Sequence, residues 1–124
     1  YVLCGNATEF LDPVFSSGVT LAMASGHLAA TLIKKKLNNE TIDWETQYSQ
    51  KMHSGINVFR SYVNGWYSGD LQKIFFSENI RDDFKKQICS VLAGYVWDDT
   101  NPFVANHEKM IRTLSKFLNL KKRE

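Results

Sequence analysis

The residues whose types and spacing could do chemistry lie near the start of the chain, between Gly5 and Thr20. An apolar run at residues 1–4 precedes them and predicts a buried strand, while the small residues from Thr20 to Leu37 predict a helix. In a strand-loop-helix junction, free backbone N–H groups and the positive end of the helix dipole face the loop and favour an anion or another polar ligand. The sequence therefore predicts a loop that binds a polar ligand.

In the order of its residues, this loop resembles the second FAD-binding motif of flavin-dependent oxidoreductases related to the tryptophan halogenases and to the aromatic-ring monooxygenases. The halogenase-like branch carries Gly-Asp-Ala, followed by Asp-Pro-x-Phe-Ser-Ser-Gly-Val. Here Gly5-Asn6-Ala7 is followed by the matching run from Asp12 to Val19. The resemblance implies that FAD is the cofactor and that the chain is a C-terminal piece of such an oxidoreductase.

By the same resemblance, the cofactor-binding residues lie in the loop and in the first turn of the helix after it. They are Gly5, Asn6, Asp12, Pro13, Ser17, Gly18, Val19 and Thr20. In halogenase-like members the positions of Ser17 and Gly18 also border the proposed halide site. Asn6 stands where the family has an aspartate that binds the ribityl chain of FAD. Its amide can accept from one hydroxyl and donate to another, but it carries no charge.

One position distinguishes among the activities of this family. Tryptophan halogenases carry a glutamate two positions before the Ser or Thr of the loop corner, and the aligned residue here is Phe15. A phenyl ring cannot polarise a hypohalous acid or accept a proton, so halogenation of free tryptophan is not expected. The remaining activities are halogenation of a carrier-tethered or phenolic substrate, monooxygenation, and flavin-dependent dehydrogenation or reduction of an apolar substrate. The sequence identifies no catalytic residue.

The other signature of a Rossmann-type flavoenzyme, a Gly-x-Gly-x-x-Gly turn for the pyrophosphate, does not occur in the chain. We therefore expect the chain to need a Rossmann domain N-terminal to it and to be inactive alone. Residues 1–37 are predicted to end the FAD-binding domain, and residues 38–124 to form a helical cap on the substrate side. The surfaces that an isolated piece exposes are expected to favour a homodimer.

The fold is predicted to be mainly helical, with one short N-terminal strand followed by about five helices. The first helix is expected to be capped by Ser16 or Ser17 and to end at the pair Asn38-Asn39.

Apolar residues three and four positions apart, from Trp44 to Trp66, predict the second helix. Its aromatic-rich face is expected in the core, with the wall of an apolar substrate cavity as the alternative. A short helix is expected after Asp70, a longer one capped at Ser77 or Asn79, and a last one that follows the start signal Asn101-Pro102.

Composition and charge exclude several classes of protein. A hydrophobic content of 44% is typical of a globular domain, and a net charge of +2 is too near balance to indicate a nucleic-acid partner. No apolar run is long enough to span a membrane, and the three histidines lie in different predicted helices, so no metal site is expected. Cys4 and Cys89 predict structural thiols in a reducing cytoplasm, with a disulfide as the alternative.

A second class of function stays open at this point. The chain can also be interpreted as a helical protein-interaction module without a cofactor, in which the loop is a helix cap and the aromatic faces bind a partner. The ordered match of the loop to a flavin-binding motif favours the flavoprotein.

Overall fold

The computed structural model describes residues 1–121 and is mainly helical, as predicted. The α-helices are α1 (Ser17–Leu37), α2 (Lys51–Tyr67), α3 (Asp70–Phe75), α4 (Asp82–Leu92), α5 (Pro102–Ala105) and α6 (His107–Lys121). Two 3-10 turns, Gly5–Ala7 and Pro13–Phe15, precede α1, and a π-helical segment, Glu45–Gln50, leads into α2. The chain divides into two compact units, Tyr1–Asn57 and Val58–Glu124, with the boundary inside α2.

The predicted N-terminal strand is wrong. Residues 1–4 lie in no strand, and the part of the chain that the structure describes holds no second strand with which they could pair. Side chains hold this extended segment instead. Thr8 Oγ1 donates to the carbonyl oxygen of Leu3 at 2.8 Å, and Tyr48 Oη donates to the same oxygen. The apolar pattern was real, but a strand also requires a neighbour in a ladder.

In the first unit, Gly5 ties the first 3-10 turn to α1. Its φ of +59° lies in the left-handed region, and a Cβ built on it would lie 3.1 Å from the Cβ of Ala22. The Gly5 N–H donates to Ser25 Oγ at 2.8 Å, and Ser25 Oγ donates to the carbonyl oxygen of Ala22 at 3.1 Å. The small residues of α1 therefore allow the loop backbone to lie directly on the helix.

The predicted end of the first helix is confirmed at the asparagine pair. The N–H of Asn38 donates to the carbonyl oxygens of Lys34 and Lys35, and Asn39 adopts a φ of 63°. Asparagine tolerates this left-handed conformation better than most residues, which makes it a common helix terminator. The lysines of the last turn carry the charge that the negative end of the helix dipole favours.

The second predicted helix is present, but its first turns are wound as a π-helix. Asp43 caps this segment, because its Oδ1 accepts from the backbone N–H of Glu45 at 3.0 Å. The predicted apolar face lies inside the protein. Its buried members, none more than 9% exposed, are Tyr48, Met52, Ile56, Phe59 and Val63. Trp44 and Trp66, at the two ends of the pattern, are half-buried.

In the second unit, α3 and α5 both pack against α6. Asn101 caps α5 as predicted, since its Oδ1 accepts from the N–H of Phe103 at 2.9 Å. The carbonyl oxygen of Phe103 in turn accepts from Tyr62 Oη at 3.2 Å. Between α3 and α6, Ser115 Oγ donates to Asp70 Oδ1 at 2.7 Å.

Two boundaries in the second unit differ from the prediction. The fourth helix begins at Asp82 instead of directly after Ser77 or Asn79, because Arg81 keeps an extended conformation at φ −66° and ψ 141°. The last predicted helix is broken at Asn106, whose φ of −131° and ψ of 40° separate α5 from α6. Asparagine side chains compete with the backbone for hydrogen bonds, so an internal asparagine is a plausible position for such a break. Residues 122–124 lie outside the described part of the chain.

Candidate functional site

The two ends of the predicted ligand loop meet in the structure. A Cβ built on Gly18 would lie 3.4 Å from Asn6 Oδ1, at ordinary van der Waals distance. Gly5, the neighbour of Asn6, is itself fixed on α1 through Ser25. The fold therefore brings the Gly-Asn-Ala corner against the N-terminal turn of α1, although the two are separated in sequence by the rest of the loop.

Asp12 and Pro13 shape the middle of the loop. Asp12 Oδ1 accepts from the N–H of Val14 at 3.0 Å and so caps the 3-10 turn Pro13–Phe15. Proline fixes φ at the first position of that turn, as expected of a stiff loop. Ser16 then adopts a left-handed conformation, with φ 53° and ψ 28°, and its N–H donates to the Pro13 carbonyl oxygen at 2.8 Å. This left-handed residue turns the chain directly into α1.

The prediction that Ser16 or Ser17 caps α1 through its side chain is wrong. Ser16 occupies the N-cap position, but its side chain accepts no hydrogen bond from the helix. A capping hydroxyl needs an extended backbone at the N-cap, and the left-handed conformation of Ser16 directs its side chain elsewhere. The first N–H groups of α1, which have no partner inside the helix, are thus left without a side-chain cap.

Ser17 is the predicted site residue whose side-chain hydroxyl is buried and, among the described residues, has no hydrogen-bond partner. The residue is 2% exposed. Leaving a buried hydroxyl unpaired costs about 1–3 kcal/mol, so an isolated helix end gains nothing from a serine here. A hydroxyl without a hydrogen-bond partner, next to helix N–H groups without a side-chain cap, can donate to an anion or to the polar edge of a cofactor. These features fit a flavin edge, and they fit an anion equally well.

The remaining predicted residues lie around this corner with different exposures. Gly18 and Thr20 are half-buried, whereas Asn6 and Pro13 are exposed. Val19 is 67% exposed, so its side chain lies on the outer surface of this unit. Of the predicted set, the structure brings together Gly5, Asn6 and Gly18, and it places Asp12 and Pro13 in the turn that leads into Ser16 and Ser17.

Two residues that support the site were not predicted. Ser25 holds Gly5, and Tyr48 holds the segment before it, through Leu3 and through Cys4 Sγ at 3.4 Å. Burial, with the neighbouring Cys4 thiol second, raises the pKa of Tyr48 from its ordinary 10.0 to about 12. The phenol therefore stays protonated and continues to donate. A serine inside a run of small residues was the available signal for Ser25.

A cavity of about 480 Å³ lies beside the N-terminal segment in the first unit. Its wall consists of Tyr1, Val2, Leu3, Thr8, Ile33, Trp44, Tyr48, Ser49 and His53. Trp44 and Tyr48 are the first two members of the aromatic-rich face, so this end of the face borders a cavity while the middle is core. An apolar wall with a few polar groups is typical of a site for a small apolar ligand.

No metal centre or membrane span accompanies this site in residues 1–121. No three His, Cys, Asp or Glu side chains in that range gather closely enough to hold a metal ion. Nor does any helix in it combine the length and the apolar character needed to cross a bilayer.

Comparison with known proteins finds two halogenases that act on carrier-bound pyrrole groups among the relatives of this chain. No protein-family model matches the chain. It is 29% identical over 100 residues to the 1H-pyrrole-2-carbonyl-[peptidyl-carrier protein] chlorinase of Pseudomonas fluorescens, covering 78% of this chain and 22% of the relative. It is 31% identical over 101 residues to the corresponding brominase of Pseudoalteromonas luteoviolacea, covering 77% and 24%.

A solved structure agrees over almost the whole chain. The crystal structure of a flavoprotein/dehydrogenase from Cytophaga hutchinsonii matches with a TM-score of 0.93 and 50% sequence identity, covering 97% of this chain and 30% of that one. The chain thus spans less than one third of the length of each relative. The resemblance carried by the loop motif is confirmed: the chain is related to the halogenase-like flavin-dependent oxidoreductases.

Proposed function

We propose that this segment belongs to an FAD-dependent oxidoreductase and supplies the loop that borders the flavin. One observation carries the proposal. Asn6 and Gly18 lie side by side at the N-terminus of α1, which has no side-chain cap. Ser17, the neighbour of Gly18, has a buried hydroxyl without a hydrogen-bond partner among the described residues. In a loop that served only as a helix cap, these groups would form hydrogen bonds with the helix itself. The similarity to a flavoprotein/dehydrogenase at 50% identity supports the same assignment.

Each residue of the loop has a distinct role in this proposal. FAD, when bound, supplies the redox chemistry. The amide of Asn6 accepts from and donates to ribityl hydroxyls. Gly18 keeps the surface free of a side chain, so that the N–H groups of residues 17–20 can approach the ring edge and stabilise negative charge there. Asp12 and Pro13 hold the turn that aims these groups.

The exposed apolar face of α1 supports an arrangement in which the segment completes a larger FAD-binding domain. Val19, Met23, Ile33 and Leu37 are 67%, 72%, 43% and 77% exposed, and their spacing places them along one side of the helix. A row of large exposed apolar side chains marks a packing surface. Residues 1–37 then form the end of the FAD-binding domain, residues 38–124 form a helical cap, and the Rossmann part of the protein covers this face of α1.

The proposed substrate is a small apolar or aromatic group, free or tethered to a carrier protein. Two relatives are named for pyrrole-carbonyl groups on a peptidyl-carrier protein, and a third is named a dehydrogenase. Phe15 provides no carboxylate, so halogenation of free tryptophan is not among the proposed activities. Halogenation of a tethered substrate and dehydrogenation are the two that the names of the relatives favour, with monooxygenation as the alternative. If halide is used, Ser17 and Gly18 border it.

The free thiols of Cys4 and Cys89 agree with a reducing cytoplasm.

The proposal is tested by expressing the full open reading frame and recording the visible absorbance of the purified protein. We expect a yellow protein with one FAD per chain. In the same protein, Gly18→Val adds bulk where the ring must approach, so we expect loss of FAD while the helical circular dichroism is unchanged. Ala93→Val, at an exposed position after α4, is the matched control and is expected to keep its flavin.

Two results would contradict the proposal. A colourless wild-type protein that takes up no added FAD favours the alternative, an interaction module without cofactor. A Gly18→Val variant with stoichiometric FAD would show that the loop does not border the flavin, even if the protein is a flavoprotein.

A further inference from the structure

The exposed face of α6 carries three cations that form no ion pair with any other residue that the structure describes. Lys109, Arg112 and Lys116 follow one another at spacings of three and four residues, which places them on one side of the helix. None of the three forms an ion pair within residues 1–121. The opposite side of α6 is its packing face, since Ile111 and Leu118 are 2% and 8% exposed. The positive charge therefore lies on the exposed side of a helix whose opposite side is packed in the protein.

Large apolar side chains share this exposed face. Phe117 is 58% exposed and Leu120 is 67% exposed, and Leu120 lies one turn beyond Lys116. Folding leaves more than half of the surface of both side chains in water, beside the three cations. The combination of apolar contact area with charged neighbours is typical of a surface that binds another protein.

The N-terminal half of this face is concave. A depression of about 520 Å³ is lined by the three cations together with Asn106, His107 and Glu108. Among the described residues that line the depression, Glu108 is the only one with a carboxylate, so these residues give the depression a positive charge. A concave, positively charged surface that continues into exposed apolar side chains complements an acidic amphipathic helix.

We propose that the α6 face is the docking surface for an acidic carrier protein that presents the tethered substrate. The inference rests on the proposed function, because a carrier protein is needed only if the substrate is tethered, as the names of two relatives say of theirs. Lys109, Arg112 and Lys116 attract carboxylates on the carrier helix and raise the rate of encounter. Phe117 and Leu120 contact its apolar side chains. A nucleic acid fits less well, because it offers no apolar surface of that kind and the chain has a net charge of only +2.

The experiment measures binding of a purified, fluorophore-labelled holo peptidyl-carrier protein to the complete flavoprotein by fluorescence anisotropy. The double substitution Lys109→Glu with Lys116→Glu reverses two charges of the docking face. Lys85→Glu with Lys86→Glu makes the same change of net charge on exposed residues of α4 and is the matched control. We expect the first variant to bind about tenfold or more weakly and the control to stay within about twofold of wild type.

Phe117→Ser tests the apolar part of the face separately, and we expect it to weaken binding with no change in the dependence of affinity on salt. Flavin absorbance and circular dichroism of every variant should match the wild type, since none of these residues lies in the loop. Equal loss of binding in the α4 control would show unspecific attraction and overturn the docking surface. So would a flavin-loaded wild type that binds no carrier protein, or one that binds a short DNA duplex more tightly.

The two proposals fail in distinguishable ways. A colourless wild type that still binds the carrier protein through Lys109 and Lys116 contradicts the flavoprotein assignment and supports the docking surface. A yellow protein whose binding ignores the charge reversals keeps the flavoprotein assignment and refutes the docking surface.

Discussion

Gly5 and Ala22 lie in direct contact across the loop and the helix. The Cβ that any other residue would place at position 5 falls 3.1 Å from the Cβ of Ala22, and Gly5 has a φ of +59°. Both facts require glycine there, because an L side chain in this conformation is strained and the neighbour would have to move. The position of Asn6, and with it the candidate flavin edge, depends on this contact.

Gly5→Ala is therefore expected to destabilise the protein by about 1–2 kcal/mol from backbone strain alone, with the contact to Ala22 adding to that. Ala22→Gly relieves the contact and leaves the strain, but it also costs about 0.5–1 kcal/mol as a glycine inside α1. Gly5→Ala should therefore cost less when added to Ala22→Gly than when added to wild type, without becoming neutral. Thermal or urea unfolding provides the measurement. Gly26→Ala is the control: a Cβ there has open space, and alanine should stabilise α1 by about 0.5–1 kcal/mol. Equal stability of Gly5→Ala and wild type would contradict the contact.

The sequence was informative where structure depends on neighbours in the chain. The spacing from Trp44 to Trp66 and the dipeptide Asn101-Pro102 predicted helices that are present, because periodicity and capping are local properties. The strand at residues 1–4 was wrong, since a strand needs a ladder partner that local pattern does not reveal. Its extended segment is held instead by Tyr48, which is distant in sequence.

The same distinction applies to the candidate site. The order of residues in the loop predicted FAD contacts on it, and these contacts stay a prediction; what the structure adds is that Asn6 lies against Gly18. The left-handed conformation of Ser16 was not predictable, because serine normally occupies the N-cap with an extended backbone. The roles of Ser25 and Tyr48 depend on tertiary contacts and carry no signature of their own.

A second prediction concerns Asn6. Asn6→Ala in the complete flavoprotein removes the hydrogen bonds that we assign to the ribityl chain, so FAD binding should weaken by about 0.5–1.5 kcal/mol. Quenching of free FAD fluorescence during titration of the apoprotein measures the change. Asn119→Ala, at an exposed position of α6, should leave the affinity as it is. An Asn6→Ala variant with unchanged affinity would remove Asn6 from the flavin site.

Tyr48 supplies a prediction on alkaline stability. Its pKa is raised from 10.0 in the unfolded chain to about 12 in the fold, so folding favours the protonated phenol. That contribution to the free energy of unfolding is complete below pH 10.0, the ordinary value, and is lost as the pH rises toward about 12.

Tyr48→Phe should remove this part of the alkaline loss, and should cost about 0.5–1.5 kcal/mol at neutral pH because the hydrogen bond to Leu3 disappears. Urea unfolding at a series of pH values measures both effects. Tyr62 is buried, and its pKa is also raised. The stability of the Tyr48→Phe variant will therefore still fall with pH at the alkaline end. The informative quantity is the difference between wild type and variant, and a difference that does not change with pH would contradict the raised pKa of Tyr48.

Ser115 and Asp70 provide the last prediction, at the acid end. Ser115 is 1% exposed and donates to Asp70 Oδ1 at 2.7 Å. This hydrogen bond, with a smaller contribution from the charge of Lys73, lowers the pKa of Asp70 from its ordinary 3.8. A lowered pKa contributes stability that is complete above the ordinary value and is lost as the pH falls through the value in the fold.

Ser115→Ala removes that donor from the space between α3 and α6. We expect a loss of about 1.5–3 kcal/mol near neutral pH, the usual range for a hydrogen bond to a charged group, and a smaller difference from wild type below pH 3.8. Ser54→Ala is the control, since Ser54 is exposed and its hydroxyl donates only to the carbonyl oxygen of Lys51 in its own helix. If Ser115→Ala costs the same at acid and at neutral pH, the serine fills space between the helices without stabilising the Asp70 carboxylate.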